Sequence, residues 1–307
     1  MDAYEELAAR FEEERDQLLA VAYRMLGSAA EAEDAVQEAW IRLHRAGGVG
    51  IENMAAWLRT VVSRLCLDQL RTRTARREEL VGEQLEPRRA AGAAPAGPEQ
   101  EALLLESVGR ALLVVLDRLG PAERVAFVLH DLFAVPFEQI APIVERSPVA
   151  TKKLASRARQ RVRGVPAAPP RELARQRRVV AAFLAASRGG DLPALLAVLA
   201  PDVLRRADPA ALPAGAALQA RGALTVARET MVFGRRARFA AAVLVDGAVG
   251  AVVAPHGRLR LVLTFTVVGE RIAGYQVIAD PARLQGLELA LLDPPAAHPV
   301  DHAPVHG

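Results

Sequence analysis

The stretch ERVAFVLHDLFAVPFEQIAPIVERSPVATKKLASRARQRVRG, residues 123–164, predicts three short helices. Apolar residues recur at helical spacing over 123–133 and again over 137–144, with a break between the two runs. A third helix is expected to start at Ser147-Pro148, because a serine oxygen caps free amides and proline is preset for the first helical turn. Together the three helices predict a helix-turn-helix.

The third helix is basic on its outer faces. Positions 146–163 contain no acidic residue, and their basic residues are Arg146, Lys152, Lys153, Arg157, Arg159, Arg161 and Arg163. Helix-turn-helix proteins present such a helix to the major groove, where arginine reads guanine edges and lysine neutralises phosphates. A solvated charged helix is the alternative interpretation. The clean apolar stripe of Leu154, Ala158 and Val162 favours DNA binding.

Composition narrows the class of protein. The 307 residues are enough for two or three domains, and the net charge of +3 is unevenly spread. Acidic residues crowd positions 1–38, whereas the predicted third helix is purely basic, so we expect two different partner surfaces. The single cysteine, Cys66, excludes an intramolecular disulfide. With no signal-peptide core and no membrane-length apolar run, the expected location is cytoplasmic, without membrane contact.

The N-terminal region predicts a helical bundle. Ser28 and Glu31 form a capping-box pattern that opens a helix to about residue 45, and Asn53 is expected to cap another to about residue 73. Acidic residues on the first of these helices are either local helix stabilisers or a partner site. On the second, polar and basic residues share one face beside Trp57, which is typical either of single-strand DNA binding or of a core tryptophan.

The C-terminal half changes character after two composition boundaries. Residues 88–98, RRAAGAAPAGP, predict a flexible linker, and 164–170, GVPAAPP, predict a second boundary. A helix over 172–187, a short helix ending near residue 199 and helical residues over 222–233 follow. Four β-rich runs then cover 238–245, 249–253, 258–268 and 271–278, with hairpin turns such as Asp246-Gly247. This order predicts an α+β cone.

These motifs resemble a known family. In order along the chain, they are similar to motifs of extracytoplasmic-function (ECF) RNA polymerase sigma factors. The similar segments are MLGS at 25–28, EDAVQEAW at 33–40, AWL at 56–58, RLCLD at 64–68, AFVLHD at 126–131, and SP at 147–148 through LASRAR at 154–159. The C-terminal region resembles the SnoaL-like domain fused to one group of them. Glu145 stands where the family's turn often has glycine.

The resemblance implies a role for three sets of residues. Contacts to core RNA polymerase would come from Asp34, Gln37, Glu38 and Ile41. The downstream promoter element, where DNA is held as a single strand, would be met by Trp57, Thr60, Arg64, Asp68, Arg71 and Arg73. The upstream promoter element would be met by Lys152, Lys153, Ser156, Arg157, Arg159 and Gln160.

The expected architecture is multidomain: two all-α sigma domains and a C-terminal α+β, cone-shaped SnoaL-like domain. The expected bounds are a region 2 domain at 1–78, a linker at 79–100, a region 4 helix-turn-helix domain at 101–165, a linker at 166–171, the SnoaL-like domain at 172–290 and a disordered tail at 291–307.

The expected function is that of a sigma factor that binds core polymerase, opens promoter DNA and is regulated in cis by its cone. We expect no catalysis, metal or cofactor, and the cone is a candidate site for a small-molecule ligand. Two alternatives stay open at this point. One is a helix-turn-helix regulator that senses a ligand and acts without polymerase. The other is an enzyme that uses Asp202, Asp208, Asp246 or His256 in the cone.

Overall fold

The chain forms two compact units in a computed structural model, which describes residues 3–48, 50–80, 109–233 and 238–293. The first unit comprises Met1–Leu104, Leu119–Arg159 and Pro294–Gly307, and the second comprises Leu105–Arg118 and Gln160–Asp293. From position 81 the predicted linker at 79–100 lies outside the described residues, as does the predicted tail from position 294.

Three helices form the N-terminal bundle of the first unit: α1 (Ala3–Leu26), α2 (Ala29–Ala46) and α3 (Met54–Leu80). Local signals set their ends as predicted. At the start of α2 the Ser28 hydroxyl accepts a hydrogen bond from the Glu31 amide, and the Asn53 side chain accepts one from the Ala56 amide at 2.9 Å. The buried side of the bundle is apolar and includes Leu18, Ala22, Met25, Ala35, Ala39, Leu43, Leu58, Val62 and Cys66.

The predicted helix-turn-helix is present. After α4 (Arg110–Leu116), which belongs to the second unit, come α5 (Pro121–Phe127), a π-helical turn (Val128–Leu132), α6 (Phe137–Val144) and α7 (Pro148–Arg163). The first predicted helix therefore ends in a wider turn. The turn ends at Ala134, whose φ of 54° changes the direction of the chain. The next amide, that of Val135, donates a hydrogen bond of 2.9 Å to the Leu129 carbonyl.

The second unit is a sheet covered by helices. Its elements are α8 (Pro170–Gly189), α9 (Leu192–Val198), β1 (Leu199–Ala207), β2 (Gln219–Arg221), α10 (Ala223–Phe233), β3 (Ala240–Val245), β4 (Ala248–Val253), β5 (Leu261–Val268), β6 (Arg271–Ile278), α11 (Pro281–Gly286) and β7 (Leu289–Ala290). The strand order is β2-β1-β6-β5-β4-β3-β7, in which β1 and β6 run parallel and the other pairs antiparallel.

The four β-rich runs of the sequence correspond to β3, β4, β5 and β6. Asp246 and Gly247, with φ of 49° and 79°, form the predicted turn between β3 and β4. The strands β1, β2 and β7 were not predicted. Pro201-Asp202 and two arginines interrupt the apolar residues of β1. Its sequence therefore lacks the alternation of apolar and polar residues that predicts a half-buried strand.

Helix α4 packs on the C-terminal sheet within the second unit. Its residues 113–116 are buried, and it contacts β3 and β7. The Arg110 guanidinium lies 5.7 Å from the centroid of the Phe239 ring, and Arg118 donates a hydrogen bond of 2.8 Å to the Leu284 carbonyl. Among the described residues, no helix is long and apolar enough to cross a membrane.

Candidate nucleic-acid interface

The outer face of α7 carries most of the residues predicted to meet the upstream element. The Ser147 hydroxyl accepts a hydrogen bond of 3.2 Å from the Ala150 amide and starts the helix as expected. Ala155 and Ala158 are fully buried and fix which side faces inward. The exposed side then presents Lys152, Lys153, Ser156, Arg157 and Gln160. This surface is positively charged, and its side chains extend into solvent.

Arg159 is placed differently from its neighbours on α7. Its Nε lies 2.5 Å from Oδ1 of Asp131, whose side chain is only 3% exposed. The ion pair joins α7 to the π-helical turn. Any DNA contact by Arg159 would therefore compete with a buried carboxylate, which holds a guanidinium more strongly than water-exposed groups do.

The turn between α6 and α7 is held by a non-glycine residue in the left-handed region. Glu145 has a φ of 57°, in the region that favours glycine, so its backbone is strained. The Glu145 carboxylate accepts a hydrogen bond of 3.1 Å from Arg71 of α3. Glu145 thus supplies a contact between the helix-turn-helix and the N-terminal bundle.

One face of α3 collects the residues predicted to meet the downstream element. Thr60 and Arg64 lie on this face, with the exposed Asp68 and Arg71 one and two turns further along. Thr60 donates its hydroxyl proton to the Ala56 carbonyl at 2.8 Å. Trp57 is half-buried beside them. The polar face is therefore formed as the sequence predicts.

The same face of α3 is covered by the helix-turn-helix. Arg64 donates a hydrogen bond of 3.2 Å to the Pro142 carbonyl of α6, and Arg71 binds Glu145 at the end of α6. Arg59 adds a contact of 3.5 Å to Gln139. Both parts belong to the first unit, so the two predicted DNA-binding modules contact each other in this structure. This contact was not predicted from the sequence.

Arg73 stabilises the bundle. Its Nη1 donates a hydrogen bond of 2.9 Å to the Leu26 carbonyl, and its Nη2 is ion-paired with Glu31. These contacts fix the end of α1 and the start of α2 against α3. Arg73 thus has internal partners at the ends of both other helices of the bundle.

The predicted polymerase-binding residues lie along α2. Asp34 and Gln37 are exposed, and Ile41 is half-buried. Glu38 pairs with Arg42 one turn later, at 2.9 Å. A carboxylate stabilises a helix through the helix dipole only within the first turn, and Asp34 lies beyond the first turn of α2. Stabilisation of the helix is therefore a poor explanation for an acidic residue at this position. An exposed set of this kind, with one apolar member, is suited to a protein partner.

Two of the candidate catalytic residues of the cone, Asp208 and Asp246, make hydrogen bonds that stabilise the fold. Asp208 accepts hydrogen bonds of 3.0 Å from the Ala279 and Asp280 amides and is ion-paired with Arg283. Burial opposes its ionisation, but these three donors outweigh burial and hold the pKa of the Asp208 carboxyl below its usual value. Asp246 accepts a hydrogen bond of 2.8 Å from the Glu288 amide.

The polar groups that do line the cavity of the cone were missed by sequence reasoning. They are Ser187, Arg205, Glu229, Thr230 and Tyr275. Arg205 lies on β1, a strand that was not predicted because its sequence lacks the alternation of apolar and polar residues. Without that strand, nothing in the sequence indicated that Arg205 faces a cavity. Neither Asp202, Asp208, Asp246 nor His256 lines this cavity.

The single cysteine is not a reactive site. Cys66 is fully buried, and burial raises the pKa of its thiol to about 12. Among the described residues, no group of three or more His, Cys, Asp or Glu side chains is placed to hold a metal ion.

Comparison with protein families matches both helical parts of the chain. The model for Sigma-70 region 2 matches residues 10–76, and the model for Sigma-70 region 4 matches residues 109–162. These ranges contain all three sets of predicted site residues. The second range begins at Gly109, the residue before α4, and ends in α7, and both of its ends lie in the second compact unit.

Individual relatives extend the likeness. The chain is 43% identical over 201 residues to the ECF RNA polymerase sigma factor SigJ of Mycobacterium tuberculosis, a match that covers 65% of this chain and 64% of that protein. It is 38% identical over 208 residues to the probable ECF RNA polymerase sigma factor SigI of the same species, covering 68% and 72%. The crystal structure of M. tuberculosis SigJ is 32% identical, with a TM-score of 0.44, and the match covers 91% of this chain and 98% of that one.

Proposed function

Because this chain belongs to the extracytoplasmic-function RNA polymerase sigma factors, we propose that it binds core RNA polymerase and directs it to specific promoters. The observation that carries the proposal is the presence of three separate polar surfaces in the order of the two sigma regions. They are the exposed side of α2, the polar face of α3 and the basic outer face of α7. A regulator that only blocked promoters would need the third surface alone.

The exposed side of α2 is the proposed polymerase contact. Asp34 and Gln37 extend into solvent, with Glu38 and Ile41 beside them. Acidic and amide side chains beside one apolar residue suit a protein interface, in which polar groups surround apolar ones. Charge reversal at Asp34 should therefore weaken polymerase binding.

A matched pair of variants tests this contact. Asp34→Lys should lower affinity for core polymerase at least tenfold, since a wrong-sign charge at an interface costs more than about 1.4 kcal/mol. Glu13→Lys makes the same charge change on an exposed position of α1 and should leave affinity within about twofold. Titration of labelled protein with core polymerase measures both. Equal losses for the two variants would remove α2 from the proposed interface.

The α3 face and the α7 face are the proposed promoter contacts. Lysine and arginine on α7 suit the major groove of the upstream element, and Thr60, Arg64 and Arg71 suit an opened strand at the downstream element. Arg64 and Arg71 are engaged by α6 in this structure. We therefore infer that binding to polymerase and promoter separates the two modules and exchanges these internal contacts for DNA.

The C-terminal domain is proposed to regulate the sigma modules in cis. Its compact unit includes α4 and the end of α7, so it holds both ends of the segment that matches region 4. The Leu291 amide donates a hydrogen bond of 2.8 Å to the Val162 carbonyl of α7, and Arg118 is bound to α11. A change in this domain would therefore act directly on α4, which precedes the helix-turn-helix, and on the C-terminal end of α7.

Point variants test the regulatory role without cutting the chain. Arg118→Ala removes the bond to the Leu284 carbonyl but leaves the exposed side of α7 unchanged. If the domain controls region 4, this variant should alter the rate of initiation by the holoenzyme while leaving polymerase affinity unchanged. Arg178→Ala, which breaks an exposed pair with Glu270 elsewhere in the same domain, is the matched control. Identical initiation rates for wild type and both variants would argue against control through this contact.

A further inference from the structure

A cavity of about 570 Å³ lies in the second unit between the sheet and the helices α8 and α10. Its walls are mainly apolar and include Phe183 of α8, Leu263 of β5 and Val277 of β6. The loop over 210–213 forms another side. Small-molecule sites in proteins typically measure roughly 300–1,000 Å³ and combine apolar walls with a few polar groups. The cavity has the size and lining of such a site.

An ion pair in the cavity sets the charge of a suitable ligand. Arg205 is 3% exposed, its Nη1 donates a hydrogen bond of 2.9 Å to the Ala217 carbonyl, and its Nη2 is paired with the Glu229 carboxylate. The two opposite charges are in contact and neutralise each other. An anionic ligand would have to displace Glu229, and a cationic one would have to displace Arg205, each at the cost of breaking a pair whose guanidinium is buried and whose carboxylate is half-buried. The cavity therefore favours an uncharged ligand.

Two hydroxyl groups, those of Thr230 and Tyr275, determine whether a ligand should donate or accept a hydrogen bond in the cavity. Thr230 Oγ1 donates to the Val226 carbonyl at 2.8 Å and lies 2.9 Å from Tyr275 Oη. Because threonine has a single hydroxyl proton, Tyr275 donates its own proton to Thr230, which leaves the Tyr275 oxygen as an acceptor. Burial raises the pKa of the Tyr275 phenol, so the proton stays in place at neutral pH. A ligand that donates a hydrogen bond suits this oxygen.

We propose that the cavity binds an uncharged, largely apolar small molecule whose hydroxyl or N–H group donates a hydrogen bond to Tyr275 Oη. The apolar body of the ligand lies against the walls formed by α8, β5 and β6. The Arg205–Glu229 pair stays intact and excludes charged molecules of the same shape.

The cavity is also joined to the proposed regulatory contact. Ala240 of β3 lines the cavity, and the preceding residue, Phe239, carries the Arg110 guanidinium of α4 on its ring. A ligand that shifts β3 would therefore move α4. This consequence rests on the proposed regulatory function, but ligand binding does not. Binding can be measured without polymerase, so the two proposals can fail separately.

Three probes with one ring system test the binding proposal on the full chain. They are 2-naphthol, which donates a hydrogen bond, 2-methoxynaphthalene, which does not, and the anion 2-naphthoate. Calorimetric titration should show 2-naphthol binding about tenfold more tightly than 2-methoxynaphthalene, which is the usual effect of one buried hydrogen bond. The anion 2-naphthoate should bind most weakly of the three.

Two isosteric variants assign the effect to the hydroxyl pair. Tyr275→Phe should reduce the affinity for 2-naphthol to that for 2-methoxynaphthalene and leave the latter unchanged. Thr230→Val frees the Tyr275 proton, so 2-methoxynaphthalene should gain affinity about threefold to tenfold. Thr264→Val, in the groove on the other face of β5, is the control and should change nothing. Equal affinities of wild type for the two neutral probes, absence of binding by all three, or an unchanged preference in Tyr275→Phe would overturn the proposal.

Discussion

Replacing Arg159 by alanine should destabilise the first unit rather than only weaken DNA binding. The Asp131 side chain is 3% exposed and Arg159 is 21% exposed, and their charged atoms lie 2.5 Å apart. Removing one partner of a fully buried pair costs about 3–5 kcal/mol, because the other charge stays buried and uncompensated. Arg159 retains some exposure, so we expect Arg159→Ala to lower the free energy of unfolding by about 2–3 kcal/mol.

Urea unfolding followed by tryptophan fluorescence measures this loss. Both tryptophans of the chain, Trp40 and Trp57, lie in the first unit, so the signal reports the part that contains the ion pair. Lys153→Ala, on the exposed side of α7, is the matched control and should change stability by less than about 0.5 kcal/mol. The double variant Asp131→Leu/Arg159→Leu should recover most of the loss, since an apolar pair can replace a buried ion pair.

The result that would refute the ion-pair argument is specific. If Arg159→Ala unfolds at the same urea concentration as wild type, and promoter affinity falls as far as in Lys153→Ala, then Arg159 acts as a DNA contact. In that case Asp131 would have to be neutral or solvated in solution.

Three further predictions concern DNA, the contact between modules and acid stability. Lys152→Ala should reduce the slope of log affinity against log salt for promoter binding by the holoenzyme by about one, as expected for one lost phosphate contact, and an unchanged slope would exclude that contact. Joining Arg59→Cys to Gln139→Cys with a short cross-linker that contains a disulfide should hold α3 against α6 and abolish initiation until the linker is reduced, and undiminished initiation by the linked protein would contradict separation of the modules. The buried Cys66 should not react. Because the pKa of Asp208 is lowered in the folded protein, its contribution to stability is present above the usual carboxyl pKa of about 4 and is lost as pH falls. Asp208→Asn should therefore show a smaller loss of stability than wild type between about pH 5 and pH 3 in urea unfolding, and equal losses would contradict the argument.

Much of the helical architecture could be predicted from the sequence, because helical periodicity and end signals are local. The Ser28, Asn53 and Ser147 caps and the apolar side of α7 all appear as the pattern indicates. The exposed faces of α2 and α7 follow from the same periodicity, since fixing the buried side of a helix also fixes its outer side.

The remaining features depend on contacts between distant residues. Arg159 is one position after the buried Ala158, and only the fold reveals that Asp131 lies opposite it. The contact of Arg64 and Arg71 with α6 likewise joins segments more than seventy residues apart. In the cone, Pro201-Asp202 and the arginines of β1 gave this segment a pattern unlike that of a strand, so its pairing with β6 was not predicted. The position of Arg205 in the cavity was missed for the same reason.

Run-off transcription with purified bacterial core polymerase tests the central claim most directly. The full chain is added to core polymerase on promoters that have been selected by the resulting holoenzyme. The account predicts transcripts that start at one position and require both the protein and the polymerase, with Asp34→Lys strongly reduced and Glu13→Lys unaffected. Tight binding of the protein alone to duplex DNA, without polymerase-dependent initiation, would contradict the account and identify a regulator that acts by itself.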